Sequence, residues 1–181
     1  MTLRTRLTWD GERADDREIA TVDLHMQDAE LRISVRAAYH ADPEPESAPG
    51  PTWELWQHEV VEVFIASAAE ISPVQYTELE LGPHGHHLLL RLSGLRNPVE
   101  RELPVRFLRE ITVDPASGMA VWTGSARIGE HLLPPGPPSS WRINVTACHG
   151  PANARRYLTA ARLSAPQPDF HRPDEWLPSR L

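Results

Sequence analysis

The chain has 181 residues, 40% hydrophobic and 24% charged, which fits one domain with a full core and excludes wholesale disorder. Its 18 prolines, about twice the usual ~5% share, recur through the chain and exclude a bundle of long helices. The formal net charge is −7, every positive residue is an arginine, and no basic run occurs, which argues against phosphate-backbone binding and hence a nucleic-acid partner.

Short apolar segments with a period of two follow one another between turn signals. The first spans Ile19 to Met26. The second, Leu31 to Ala37, alternates cleanly, with arginines on its wet face. A proline-rich loop, Ala41 to Thr52, separates these from the β-prone run Val60 to Ile65. Tyr76 to Leu81 alternates next, placing Tyr76, Glu78 and Glu80 on one face. Gly82-Pro83-His84-Gly85 then turns the chain into a returning strand, His86 to Leu92. Phe107 to Val113 and Met119 to Ile128 form another pair around Asp114–Gly118. Arg127 to Leu133 has room for one helical turn, and Pro134–Pro138 makes a stiff crossover. Trp141 to Ala147 and Tyr157 to Leu163 are the last strands expected. The tail, Ser164 to Leu181, carries four prolines and is expected to lie as an ordered loop over the sheet. Eight or nine short strands without a convincing helix describe an all-β fold, an antiparallel β-sandwich spanning residues 1–181 as one domain.

Few residues carry the marks of chemistry. The lone cysteine, Cys148, excludes an internal disulfide and offers no zinc-ligand spacing. Cys148 and His149 are neighbours on a strand and so face opposite ways, which breaks a nucleophile–base pair. There is neither a Gly-x-Ser-x-Gly elbow nor a Walker loop. His84, His86 and His87 cluster in a turn and read as solvated rather than as metal ligands. Glu62 stands inside an apolar strand on the side of Val60 and Phe64, where an acid must be paired, hydrogen-bonded or turned to a polar cleft. Trp53 and Trp56 precede it, and an indole at a loop-to-strand junction can offer its flat face to a sugar ring while acids and amides take the hydroxyls. Glu62, Glu78 and Glu80 could also furnish two carboxylates for glycoside hydrolysis, the weaker reading at this chain length.

No apolar h-region opens the chain and no run approaches the ~20 residues of a membrane-spanning helix. A cytoplasmic location without a membrane partner is expected, or an extracellular one should a leader precede this sequence.

Four segments together carry a family resemblance: Leu55 to Ile65, Tyr76 to Gly85, Trp141 to Val145, and Pro168 to Trp176. Their order and spacing resemble the family 9 carbohydrate-binding modules, within the wider DOMON-like group of β-sandwiches, over roughly residues 19 to 181. The resemblance implies non-catalytic binding of a saccharide or small polar ligand. It implies two aromatics clamping a terminal sugar ring, at Trp56 and Phe170, with His171 beside the second. It also implies an acid for hydroxyls at Glu62 and a late-strand amide at Asn144, and Glu78 or His171 is expected to assist. Departures are an acceptor, Glu80, near a position the family gives to arginine, and the pair His58-Glu59 ahead of the strand. No cofactor is expected. The family modules hold structural calcium, which the resemblance allows here too, although no Asp-rich loop in the early region identifies its ligands. The same resemblance leaves open a haem-binding reading, which would pair Met26 or Met119 with a histidine, although neighbouring His25 and Met26 face oppositely. A third reading is an inherited scaffold for a protein partner or a small metabolite.

Overall fold

Alternation governs the first sheet. In the segment Glu30–Ala38, Leu31, Ile33, Val35 and Ala37 are buried, whereas Ser34 and Arg36 face water. The structure, a computed structural model, describes residues 1–68 and 72–181. Thirteen strands lie among them. They are β1 (Thr2–Arg4), β2 (Leu7–Thr8), β3 (Thr21–Gln27), β4 (Glu30–Ala38), β5 (Val60–Ser67), β6 (Gln75–Leu81) and β7 (His87–Ser93). β8 (Pro98–Glu100), β9 (Arg106–Val113), β10 (Ala120–Gly129), β11 (Trp141–His149), β12 (Arg156–Thr159) and β13 (Leu177–Pro178) follow. Among the described residues, helical structure is confined to 3₁₀ turns of three residues each. No helix among the described residues is long and apolar enough to cross a membrane.

The strands form two antiparallel sheets packed as a sandwich. One has the order β1-β3-β4-β10-β9. The other runs β2-β12-β11-β5-β6-β7-β8, with β13 pairing β11. Val22, Leu24, Ile33, Val35, Trp122 and Ile128 of the first sheet meet Val61, Val63, Ile65, Leu79, Ile143 and Val145 of the second in one continuous core. Each such aliphatic contributes about 1.5–3 kcal/mol by leaving water, enough for this face alone to set the register.

The second sheet differs from the first in being covered on both sides. Every residue of β5 is buried. Val61, Val63 and Ile65 point into the inter-sheet core, so Val60, Glu62, Phe64 and Ala66 necessarily point outward. That outer face does not meet solvent. It carries a second apolar cluster in which Phe64, Tyr76, Leu88, Leu90 and Leu92 pack against Leu55 from a preceding loop and against Ala161, Leu163, Phe170 and Trp176 from the C-terminal tail. The Trp176 indole N–H donates to the Phe170 carbonyl at 2.9 Å and pins the tail from within.

The sequence-based strands recur with ends moved by a few residues, and four short ones, β1, β2, β8 and β13, are additional. The tail is ordered over the sheet as expected, and it also contributes β13. Two expectations need correction. His86 is not solvated: it is buried and its Nε2 pairs with the Ser47 carbonyl at 2.9 Å, because the proline-rich loop folds back over this turn. Asn144 does not face a cleft. Its Oδ1 accepts the backbone N–H groups of Val145 (2.9 Å) and Ala161 (3.0 Å), and its Nδ2 donates to Thr159 Oγ1 at 3.1 Å. The amide therefore ties the chain leaving β12 to β11. Asn144→Ala orphans two buried N–H groups and is expected to cost about 2–4 kcal/mol in urea unfolding. A loss below about 1 kcal/mol would show that water or a shifted backbone replaces the amide.

Candidate functional site

The outer face of the second sheet is incompletely covered, and the gap is a cleft of about 730 Å³. β5 and β6 supply its floor through Glu62, Phe64 and Glu78, while Leu90, Leu92 and Cys148 continue it from β7 and β11. One wall comes from the loop before β5. There Glu54 takes a left-handed conformation (φ 63°) and opens a 3₁₀ turn, Leu55–Gln57. The turn sends Leu55 into the second cluster and leaves Trp56 on the rim, 36% exposed. Trp53, 38% exposed, meets it edge-on, with ring centroids 5.1 Å apart at 84°. The Arg101 guanidinium lies 4.2 Å above the Trp53 ring and caps it.

Arg155 holds this loop in place. It donates to the carbonyls of Gly150 (3.1 Å), Trp56 (2.8 Å) and His58, and its guanidinium lies 3.7 Å from Asp42. Behind it, the Glu59 carboxyl accepts the backbone N–H groups of His40 (3.0 Å) and Asp42 (3.4 Å), while burial lifts its pKa to about 7. His149, on the opposite side of β11 from Cys148, stacks on His40 with centroids 3.5 Å apart. Burial and the neighbouring His40 lower its pKa to about 4.

The other wall is the tail. Asp169 accepts Arg96 at 2.7 Å and the His171 backbone N–H at 3.0 Å. The Tyr76 hydroxyl accepts the Arg96 backbone N–H at 2.9 Å and lies 2.8 Å from His171 Nδ1. Where the hydroxyl donates to Nδ1 the neutral ring carries its proton on Nε2, and where Nδ1 donates the Nε2 lone pair is an acceptor. Burial lowers the His171 pKa to about 4 and keeps the ring neutral. Tyr157, from β12, closes the cleft near Phe170, with ring centroids 6.3 Å apart.

The floor is electrostatically unusual. Glu62 and Glu80 face each other across the β5–β6 ladder, and Glu78 lies one pair along that face, opposite Phe64. Among the described residues Glu62 has one hydrogen-bond partner, the Thr146 hydroxyl, and burial pushes its pKa to about 7. Burial, then the charge of Glu62, push Glu78 and Glu80 well above the ordinary carboxylate range. The Trp56 backbone N–H approaches Glu80 without closing a well-formed bond, so both Glu80 oxygens lack a partner.

Of the residues singled out from sequence, Trp56, Glu62, Glu78, Phe170 and His171 all line this cleft, and Asn144 does not. Phe170 is only 8% exposed and backs the cleft instead of standing free. Trp53, the second indole ahead of the strand, lines the cleft beside Trp56. Tyr157, Arg96, Arg101 and Arg155 carried no signal beyond their type, since long-range folding alone brings them here. Met26 lies in β3 of the other sheet and Met119 in the turn before β10, so neither lines the cleft with His171. Among the described residues, no group of three or more His, Cys, Asp or Glu is gathered that could hold a metal ion.

The acid floor predicts a pH effect on stability. An unfolded glutamate titrates near 4.5, whereas these acids hold their protons to higher pH in the fold. Their contribution to stability is therefore full below about pH 4.5 and is lost as pH rises through the folded-state values, by at most about 1.4 kcal/mol per pH unit for each acid. Glu80→Gln removes one such term. Its melting temperature is expected to match the parent near pH 4.5 and exceed it by several degrees at pH 8. Equal melting temperatures at both pH values would mean that the Glu80 carboxylate is solvated.

The fold also occurs in solved structures. A protein from Bacteroides uniformis, described as a putative carbohydrate-binding protein, superposes with a TM-score of 0.71 at 14% identity, over 98% of this chain and 84% of that one. A family 9 carbohydrate-binding module from Caldicellulosiruptor kristjanssonii, in complex with glucose, superposes with a TM-score of 0.52 at 14% identity, over 89% and 74%. At such identity the likeness establishes the β-sandwich fold. No family model matches the sequence. The sequence is similar to UPF0462 protein C4orf33 of Homo sapiens, 35% identical over 181 residues covering 94% of this chain and 83% of the human protein. The Mus musculus homolog is 34% identical over 98% of this chain and 90% of its own length. The Danio rerio homolog is 32% identical over 95% and 85%. Identity above 30% along nearly the whole of both partners makes this chain a member of the UPF0462 family.

Proposed function

We propose that the aromatic cleft binds a saccharide, or a polyhydroxylated ligand of similar size, and performs no chemistry on it. The observation that carries this reading is the outward-facing pair Trp53 and Trp56 at the mouth of a cleft with carboxyl groups on its floor. The two parts of a sugar match it: axial C–H groups lie against an indole face, and hydroxyls donate to Glu62 and Glu78 or pair with the free ring nitrogen of His171. The volume falls within the ~300–1,000 Å³ common for small-ligand sites. Proteins of the same fold add support. One is described as a putative carbohydrate-binding protein and another holds glucose, and this reading places the chain beside those modules and their DOMON-like relatives.

The acids themselves favour binding over hydrolysis. Glycosidases divide labour between an ionised carboxylate and a protonated one, with pKa values driven apart. Here burial drives Glu62, Glu78 and Glu80 in the same direction.

A thermal-shift screen over mono- and disaccharides, followed by titration calorimetry with the best of them, tests the reading. Trp56→Ala is expected to weaken that ligand about tenfold or more, a loss of about 1.4 kcal/mol, with the melting temperature changed by only a few degrees. A collapse in melting temperature would make the indole a packing element, and unaltered affinity would move the ligand elsewhere.

A further inference from the structure

Hydroxyl recognition alone does not account for the floor of this cleft. Glu78 is 4% exposed, lines the cleft, and has no hydrogen-bond partner among the described residues. Glu62 uses one oxygen on Thr146 and leaves the other free, and Glu80 stands directly behind it with neither oxygen bonded. An unpaired buried acid is costly in either form, through desolvation if ionised and a wasted donor if not.

The cleft contains three arginines, and each is bonded elsewhere: Arg155 and Arg96 act on Glu62 and Glu78 only through space, and burial outweighs them. Arg96 pairs with Asp169 at 2.7 Å. Arg155 is committed to three carbonyls and Asp42. Arg101 lies on Trp53. A missing positive charge is therefore the simplest complement to the site. The acids are not gathered for a metal ion, and the walls are aromatic faces, which attract organic cations.

We propose that the cleft selects an aminated saccharide, whose ring lies against Trp56 while its ammonium group docks between Glu62 and Glu78. This rests on the saccharide reading above and narrows it. An ammonium brings three donors and a charge. Its hydrogen bonds to carboxylates carry charge on both partners, where a hydroxyl brings none, and it takes the place of a proton on the acid floor. N-acetylation of the same sugar removes the charge and adds bulk.

Titration calorimetry at pH 6.5 with glucosamine, glucose, N-acetylglucosamine and n-butylammonium tests the proposal on the full chain. Glucosamine is expected to bind at least about tenfold tighter than the two neutral sugars and than n-butylammonium. In Glu78→Gln the ratio of glucosamine to glucose affinity should fall to about one. Glu62→Gln provides the same readout if the first variant does not fold. Glucose or N-acetylglucosamine binding as tightly as glucosamine overturns the charge selection and leaves the saccharide reading standing. Binding of none of the sugars overturns this proposal, and the wider saccharide screen then decides the saccharide reading on its own. Equal affinity for n-butylammonium overturns the role of the ring, and a preference that survives both substitutions overturns the assignment to this floor.

Discussion

The central constraint is that β5 and β6 lie in a sheet covered on both sides. Strand geometry sends alternate side chains to opposite faces, and Val61, Val63 and Ile65 are fixed inward by the inter-sheet core. Glu62 then has nowhere to go but the outer face, where the tail and the loop before β5 shut out most of the water. A slip of one residue would bring Glu62 into the aliphatic core, so the hydrophobic register and the placement of the acid are one decision. The acids are thus held by the strongest force in the molecule at a position where their own solvation opposes them.

Around that floor the walls come from segments far apart in sequence, and each is fastened by a different device. Arg155 gathers carbonyls and Asp42 to fix the loop of Trp56. Asp169, Arg96, Tyr76 and His171 form a connected set that fixes the tail. Both fastenings use charge-assisted or multiply shared hydrogen bonds to backbone, which hold a loop more rigidly than side-chain packing alone. The rim aromatics can therefore stay open to solvent without depending on a ligand for their position.

Much of this was legible in the sequence. The alternation in Leu31–Ala37 and Trp141–Ala147 is unambiguous, and an acid such as Glu62 amid valines announces a special environment. The strands β1, β2, β8 and β13 were not legible, because two or three residues give no period to detect; their pairing is imposed by neighbours. Asn144 was misread for a physical reason: a lone amide within a strand looks the same whether it meets a ligand or two orphaned N–H groups. His86 was misread because only the fold-back of the proline-rich loop over its turn takes it out of water. Tyr157 and Arg155 reach the cleft through tertiary packing, which leaves no local trace.

The tail bears on how the molecule fails as well as on how it recognises a ligand. Phe170 and Trp176 screen Phe64, Tyr76 and their aliphatic neighbours. A chain clipped ahead of residue 161 would keep its inter-sheet core yet present an oily, unshielded slab. Such a species would be prone to self-association and precipitation, so proteolytic trimming at this end should register as lost solubility before it registers as lost secondary structure.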